Sequence, residues 1–255
     1  MKELKGICFL SLLFLYAASC SPVKRYTSLN AHSHNDYLGS QPFFTADEER
    51  FGSIEADIFP VDGDLFVAHY KADINLQNTL KGLYLDPLLK SLSRDDSRKL
   101  NFLIDIKDNY KVSLSLLVRQ LQPLQKYLST PTEKKNITIS ISGSRPPPSE
   151  YHLYPGFIFF DDDLKIKHTP DQWKRVSLVS LPFIRISTWK GEGEMNADDE
   201  KKIRHKIDSV HSVGKPIRFW AAPDTEASWK LQMKLKADFI GTDKINDLSA
   251  FLKKR

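Results

Sequence analysis

The stretch "SIEADIFPVDGDLFVAH", residues 53–69, contains two strand-like runs separated by the turn-forming residues Asp62, Gly63 and Asp64. Glu55 and Asp57 lie two residues apart in the first run, so a strand would project both side chains to one face. Two carboxylates on one buried face cost free energy unless a cation or a proton joins them. The stretch therefore predicts a strand that carries a site, followed by a second strand that turns back.

Strand-like runs recur along the chain, and stretches with helical periodicity separate most of them. The runs are SLNAH, SIEADIF, LFVAH, NFLIDIK, NITISIS, GFIFFDD, SLVSLPF, PIRFWAA and DFIGTD. The clearest predicted helix covers residues 196–215, with a helical apolar period that ends at Gly214. Further helices are predicted over 111–128, 225–236 and 245–254. Strands that alternate with helices indicate an α/β protein with a parallel sheet.

These runs predict a single-domain (β/α)8 TIM barrel with its active site at the C-terminal ends of the strands. Nine candidate strands are one more than the barrel needs, and we expect the second half of the 53–69 stretch to be an excursion beyond it. A doubly wound open sheet is the alternative. No glycine-rich phosphate loop follows the first strand, which favours the barrel.

The N-terminal segment resembles a targeting sequence. Lys2 and Lys5 precede an apolar run over residues 7–18, which is too short to span a bilayer but suits a signal peptide. The "AASC" junction that follows resembles a bacterial lipobox, and an ordinary secretory signal is the alternative. The prediction is a signal peptide over 1–19, a tether over 20–28 and a barrel over 29–255. Lipid on Cys20 would anchor the protein in the bacterial cell envelope.

The composition of the chain limits which kinds of binding partner are expected. The two cysteines, Cys8 and Cys20, leave the predicted barrel without a disulfide. The net charge of +5 is spread along the chain, with no dense basic block except the terminal "KKR", so nucleic-acid binding is not expected. We expect a monomer that contacts a membrane through its anchor and binds a small-molecule or lipid-derived substrate.

Polar residues collect at the predicted C-terminal ends of the first strands. These candidate site residues are His32, His34, Glu55, Asp57, His69, Asp105 and Lys107. Three carboxylates from neighbouring strands would form an oxygen-rich site suited to Mg²⁺ or Ca²⁺. Asp161, Asp162 and Asp163 are expected to form a solvated acidic turn, and metal ligation is the alternative. Trp220 is expected either at the pocket mouth or in the core.

The same segments resemble the glycerophosphodiester phosphodiesterase and phosphatidylinositol phospholipase C-like superfamily. "SIEADIFPVDGDLFVAH" is similar to its Glu-x-Asp to His segment, and "FLIDIK" is similar to its third-ligand strand. "PIRFWAAPDTEASWKLQMKLKADFIGTDKINDL" resembles its last two strands. The opening "HSHNDY" departs from the usual His-Arg-Gly and resembles a bacterial and fungal subgroup with an H-x-HNDY start.

The resemblance implies a metal-dependent phosphodiesterase. Glu55, Asp57 and Asp105 would hold the metal, and Lys107 would reach a phosphate oxygen. His69 and His34, or His69 and His32, would transfer protons as general acid and base. Two alternatives stay open at this point. His32 and His34 could instead be a metal pair of the amidohydrolase or polymerase-histidinol phosphatase kind, or the barrel could bind a ligand without catalysis.

Overall fold

Eight parallel strands curl into a nearly closed barrel in the computed structural model, which describes residues 25–95 and 97–254. The strands, with one antiparallel addition (β3), are β1 (Ala31–Ser33), β2 (Ser53–Val61), β3 (Asp64–Val67), β4 (Leu100–Ile106), β5 (Ile137–Gly143), β6 (Ile158–Asp162), β7 (Val176–Pro182), β8 (Ile217–Trp220) and β9 (Ile240–Thr242). β9 pairs with β1, and an isolated parallel bridge between Arg218 and Phe239 joins β8 to the segment before β9. The predicted TIM barrel is confirmed.

The second half of the 53–69 stretch leaves the barrel as predicted. β3 runs antiparallel to β2, with Ile58 opposite Val67, and pairs with no barrel strand other than β2 among the described residues. The turn between them places Asp62 and Gly63 at positive φ, which glycine adopts without steric cost. The returning chain brings His69 back to the barrel end.

Helices follow most of the strands and cover the outside of the barrel. They are α1 (Phe44–Glu48), α2 (Asp86–Arg94), α3 (Tyr110–Gln120), α4 (Pro170–Lys174), α5 (Ala197–Ser212), α6 (Glu226–Leu235) and α7 (Ile245–Lys253). The predicted helix over 111–128 is broken: α3 ends at Gln120, and a 3-10 helix covers Gln122–Tyr127. Pro123 explains the break, because it has no N–H and its ring clashes with the carbonyl one turn earlier.

Strand alternation separates an apolar layer from a polar interior. Ile54, Ala56 and Ile58 of β2 are fully buried in the core between strands and helices. The alternate residues of β2 join a hydrogen-bonded layer inside the barrel. In that layer the Ser53 hydroxyl contacts His32 Nδ1 at 2.8 Å and accepts from the Asn101 amide at 3.2 Å. The barrel interior is therefore polar below the carboxylates of β2, at the level where β2 and β4 begin.

The N-terminal boundary of the packed unit lies earlier than predicted. Tyr26 is buried, and its hydroxyl donates to the Ala237 carbonyl at 2.6 Å. The last residues of the segment predicted as a tether over 20–28 therefore pack on the barrel. The predicted signal peptide and Cys20 lie outside the described residues.

The buried Arg98 ties together the start of β4, α1 and the loop before β2. Its guanidinium donates to Asp47 Oδ1 at 2.7 Å and to the Phe51 and Lys99 carbonyls at 2.7 and 2.6 Å. All three nitrogens of one guanidinium thus have backbone or charged partners. Loss of this group would remove the hydrogen bonds to Asp47 Oδ1 and to the two carbonyls.

Arg98→Ala should lower the free energy of unfolding by about 3–5 kcal/mol, because it leaves a partly buried carboxylate and two carbonyls without the donors that Arg98 supplies. Urea denaturation measures this. Arg204→Ala is the matched control, since Arg204 forms an exposed ion pair with Glu200 one turn away on α5. We expect the control to cost less than about 1 kcal/mol. Equal losses in the two variants would contradict the assigned role of Arg98.

Candidate active site

Three carboxylates meet at the C-terminal end of the barrel. Glu55 and Asp57 come from β2 and Asp105 from the neighbouring β4, and one oxygen of each lies within 4.8 Å of the others. Asp57 and Asp105 are directly paired in the parallel register, which explains why their side chains converge. No other such group of histidine, cysteine or acidic side chains occurs within residues 25–95 and 97–254.

Two cations flank this carboxylate cluster. Lys107 Nζ lies 2.8 Å from Asp57 Oδ2 and 3.5 Å from Asp105 Oδ2. Arg218 Nη1 donates to Glu55 Oε2 at 2.8 Å from the far side of the barrel. Burial opposes ionisation of Glu55, but the charge of Arg218 and the hydrogen bond with His32 outweigh it and lower the Glu55 pKa. Glu55 is therefore a carboxylate at neutral pH.

Asp105 is the least compensated member of the cluster. Its pKa is raised to about 6, first by burial and then by the nearby charges of Asp57 and Glu55, although Lys107 opposes the shift. A second cation nearby would stabilise the ionised form of this carboxylate.

The cluster fits a divalent cation. Asp57 Oδ1 is buried and has no hydrogen-bond partner among the described residues, which leaves a free ligand atom. Gly143 closes the side next to Asp105: a Cβ at this position would lie 2.0 Å from Asp105 Oδ1. Carboxylate oxygens are the ligands that Mg²⁺ and Ca²⁺ prefer. Glu55, Asp57 and Asp105 could thus hold such an ion, as the sequence predicts.

His32 is part of the interior and not of the cavity wall. It is fully buried, with Nδ1 at 2.8 Å from Ser53 Oγ and Nε2 at 2.8 Å from Glu55 Oε2 and 2.6 Å from Arg218 Nη1. Burial, with the charge of Arg218, lowers its pKa to about 4. His32 is therefore neutral near pH 7, and both its nitrogens are engaged, so it shares no open ligand position with His34.

His34 faces the cavity and is held by an acid from the last barrel strand. Its Nδ1 lies 2.8 Å from Asp243 Oδ1, while Asp224 accepts from the Asp243 amide at 2.9 Å. Burial lowers the His34 pKa, but the hydrogen bond and charge of Asp243, with Glu55, raise it by more. Since Nδ1 is bonded to a carboxylate, Nε2 is the nitrogen left for proton transfer.

His69 occupies an equivalent position on the other side of the cluster. Its Nδ1 lies 3.0 Å from Asp57 Oδ2 and 3.1 Å from the Tyr37 hydroxyl, and its ring lines the cavity. The Tyr37 hydroxyl also donates to Asp57 at 2.7 Å. Tyr37 thus orients both a carboxylate and a histidine of the site.

These side chains open into a cavity of about 770 Å³. The cavity is lined by His34, His69, Glu55, Asp105 and Lys107, and by Trp220, which is 42% exposed.

The structure corrects one sequence expectation about the strand end of β6. Asp161 and Asp162 are buried on β6 and do not form a solvated turn. Asp161 accepts from the Ser142 hydroxyl at 3.2 Å, and burial raises its pKa to about 6 against the charge of Arg218. An acid directly after an apolar run of aromatic residues is the signal that could have placed it inside the barrel.

Sequence reasoning missed Arg218, Tyr37 and Asp243 as parts of the site. Arg218 is 163 residues from Glu55, and Asp243 is 209 residues from His34. An arginine inside the strand-like run "PIRFWAA" is the signal for the first, because a charged residue in a barrel strand needs an internal partner. The "GTDK" end of β9 is the signal for Asp243.

Comparison with known proteins supports this architecture. Residues 23–100 match the AIM6-like phosphodiesterase domain. The altered inheritance of mitochondria protein 6 homolog of Arthroderma benhamiae is 24% identical over 84% of this chain and 80% of its own. The Kluyveromyces lactis protein of that name is 26% identical over 87% and 72%. A glycerophosphodiester phosphodiesterase of Parabacteroides distasonis has the same fold, with a TM-score of 0.56, 15% identity and coverage of 89% and 97%.

The predicted superfamily resemblance is confirmed. The matched domain contains β1 to β3 with Glu55, Asp57, His34 and His69, and so covers the Glu-x-Asp to His segment and the HSHNDY start. The domain match ends at residue 100, before Asp105 and Arg218.

The predicted localisation is wrong. The relatives are fungal proteins named for mitochondrial inheritance, which points to a eukaryotic origin and not to a lipid-anchored protein of the bacterial cell envelope. Lysines, an apolar run and a small-residue junction before Cys20 form a short pattern that does not by itself identify the compartment. Within residues 25–95 and 97–254, no helix has the length and apolarity to cross a membrane.

Asp105→Asn should weaken Mg²⁺ or Ca²⁺ binding at least about tenfold, because it removes one of three converging ligands. Above pH 6 it should keep or raise stability, since the ionised Asp105 is disfavoured in the metal-free protein. Calorimetric titration and chemical denaturation measure the two effects. Asp73→Asn, at an exposed site outside the cavity, is the control. Unchanged metal affinity in Asp105→Asn would refute the metal site.

The buried, neutral His32 should make stability fall as pH drops. Between pH 6.5 and 4 the unfolded chain protonates this imidazole and the folded chain does not, so unfolding becomes more favourable. The contribution is up to about 3 kcal/mol across this window. Denaturation in chelator at several pH values should show a shallower slope for His32→Asn than for the wild type. Parallel slopes would show that His32 titrates normally.

Proposed function

We propose that the chain is a metal-dependent phosphodiester hydrolase. The observation that carries the proposal is the pair His34 and His69. Each histidine lines the cavity, each has Nδ1 bonded to a carboxylate, and the carboxylate cluster with Lys107 lies in the same cavity. General acid–base cleavage of an anionic ester requires such a pair of proton-transfer groups next to positive charge.

The chain's own residues divide the work. Glu55, Asp57 and Asp105 would hold the metal ion, which when bound would supply positive charge that offsets the charge of the phosphodiester. Lys107 places its ammonium group beside the same carboxylates and binds a phosphate oxygen. One histidine accepts the proton of the attacking hydroxyl or water at Nε2, and the other donates a proton to the leaving oxygen. Asp243 and Asp57 hold the Nδ1 side of His34 and His69.

The proposed substrates are diesters of glycerol- or inositol-like alcohols, including lipid-derived head groups. A hydroxyl next to the phosphorylated oxygen can lose its proton, attack the phosphorus and form a cyclic phosphate, while the P–O bond to the second alcohol breaks and that alcohol leaves with a proton. A phosphomonoester has no second alcohol to expel, so diesters should react and phosphomonoesters should not. We propose a small-molecule substrate, no nucleic-acid partner and a monomeric protein.

His34→Ala and His69→Ala should each lower kcat by about 10²–10⁴ on a diester such as glycerophosphoinositol, with little change in metal binding. Asp243→Asn should lower kcat less than His34→Ala, since it disturbs the orientation of His34 without removing the imidazole. Rates are measured with and without Mg²⁺ or Ca²⁺, beside a phosphomonoester.

His152→Ala is the control, because His152 lies outside the cavity. Full activity in His69→Ala, or monoesterase activity without diesterase activity, would defeat the proposal. Binding of the diester by the wild type without any turnover would favour the non-catalytic barrel.

A further inference from the structure

One wall of the cavity is rich in cations. We define the cationic wall as the side chains of Arg145, Lys165, Arg185 and Lys206, which all line the cavity. They come from the β5–α4 region, the end of β7 and α5, so residues distant in sequence converge there. Three acids of the same wall, Asp161, Asp162 and Asp163, offset only part of this charge.

The acids of this wall are already engaged. Asp163 is shared by Lys165 Nζ at 2.5 Å and Arg145 Nη2 at 3.6 Å. Asp162 Oδ2 lies 2.5 Å from His168 Nε2. Neither Arg185 nor Lys206 forms an ion pair with any residue in 25–95 and 97–254. Two cations therefore face the cavity without a protein counter-charge.

The cationic wall is continuous with the carboxylate cluster. Gly143, whose φ is 69°, packs directly against Asp105, and its carbonyl accepts from Arg145 Nη1 at 3.4 Å. The amide of Ser144 donates to the Ile106 carbonyl at 2.7 Å and fixes this loop on β4. A molecule whose phosphate lies at the cluster thus extends along a surface that favours anions.

The size of the cavity agrees with a ligand longer than a simple phosphodiester. A volume of about 770 Å³ is within the range that holds drug-sized molecules, on the order of 300–1,000 Å³. A phosphate monoester carries roughly two negative charges at neutral pH, and an arginine binds it in a bidentate manner.

We infer that the substrate carries a second phosphate, a monoester group on its alcohol, bound by Arg185 and Lys206 while the scissile diester lies at the carboxylate cluster. The inference rests on the proposed phosphodiesterase function. It makes Arg185 and Lys206 specificity-determining residues that contact the substrate away from the reacting atoms.

Binding is tested first, because it does not depend on turnover. Calorimetry compares inositol 1-phosphate with inositol 1,4-bisphosphate in the wild type and in the double variant Arg185→Gln/Lys206→Gln. We expect the wild type to bind the bisphosphate at least about tenfold more tightly than the monophosphate, and the double variant to lose this preference. Lys111→Gln/Arg119→Gln is the matched control on α3, outside the cavity, and should keep it.

Turnover is then compared on glycerophosphoinositol and glycerophosphoinositol 4-phosphate, which differ only in the second phosphate. The wild type should favour the second diester in kcat/KM, and the double variant should lose that advantage mainly through a higher KM. Equal binding of the two inositol phosphates by the wild type, or an unchanged preference in the double variant, would overturn the inference. Absence of cleavage of both diesters, with the binding preference intact, would refute the phosphodiesterase function and leave the anion subsite standing.

Discussion

The period of two along β2 is the constraint on which the site depends. Residues 54, 56 and 58 bury their apolar side chains in the core, and this forces Ser53, Glu55 and Asp57 to the other face. A shift of the strand by one residue would place two carboxylates in the core and three apolar residues in the cavity. The packing of β2 against the core therefore also determines where Glu55 and Asp57 lie.

Because Glu55 and Asp57 face inward, nearby cationic and hydrogen-bonding side chains must stabilise their negative charge. Arg218 and His32 meet Glu55, while Lys107, Tyr37 and His69 meet Asp57. Asp105 has less stabilisation of its charge, and Asp57 Oδ1 has no hydrogen-bond partner among the described residues. The local imbalance is what gives the cluster capacity for another cation.

Much of this site was predictable because its members are close in sequence or lie at strand ends. Glu55, Asp57, His69, Asp105 and Lys107 follow from a two-residue period and from one turn. Arg218 and Asp243 were not predictable as site residues, because only closure of the barrel brings β8 and β9 next to β1 and β2. The choice between His32 and His34 also needed the fold, since their different burial depends on where β1 ends. The predicted helices over 196–215, 225–236 and 245–254 agree with α5, α6 and α7 to within three residues, and the one over 111–128 fails where Pro123 ends helical geometry. α1, α2 and α4 were not predicted.

The seam between β8 and β9 gives Arg218 a second significance. Its backbone supplies the isolated bridge to Phe239 that nearly closes the barrel, and its guanidinium crosses the interior to Glu55 on β2. One residue thus connects the β8–β9 seam with the carboxylate cluster on the opposite side of the interior. Protonation of Glu55, or its capture by another cation, would weaken the ion pair that makes this connection. A change of charge at the cluster would therefore reach the seam through a single side chain.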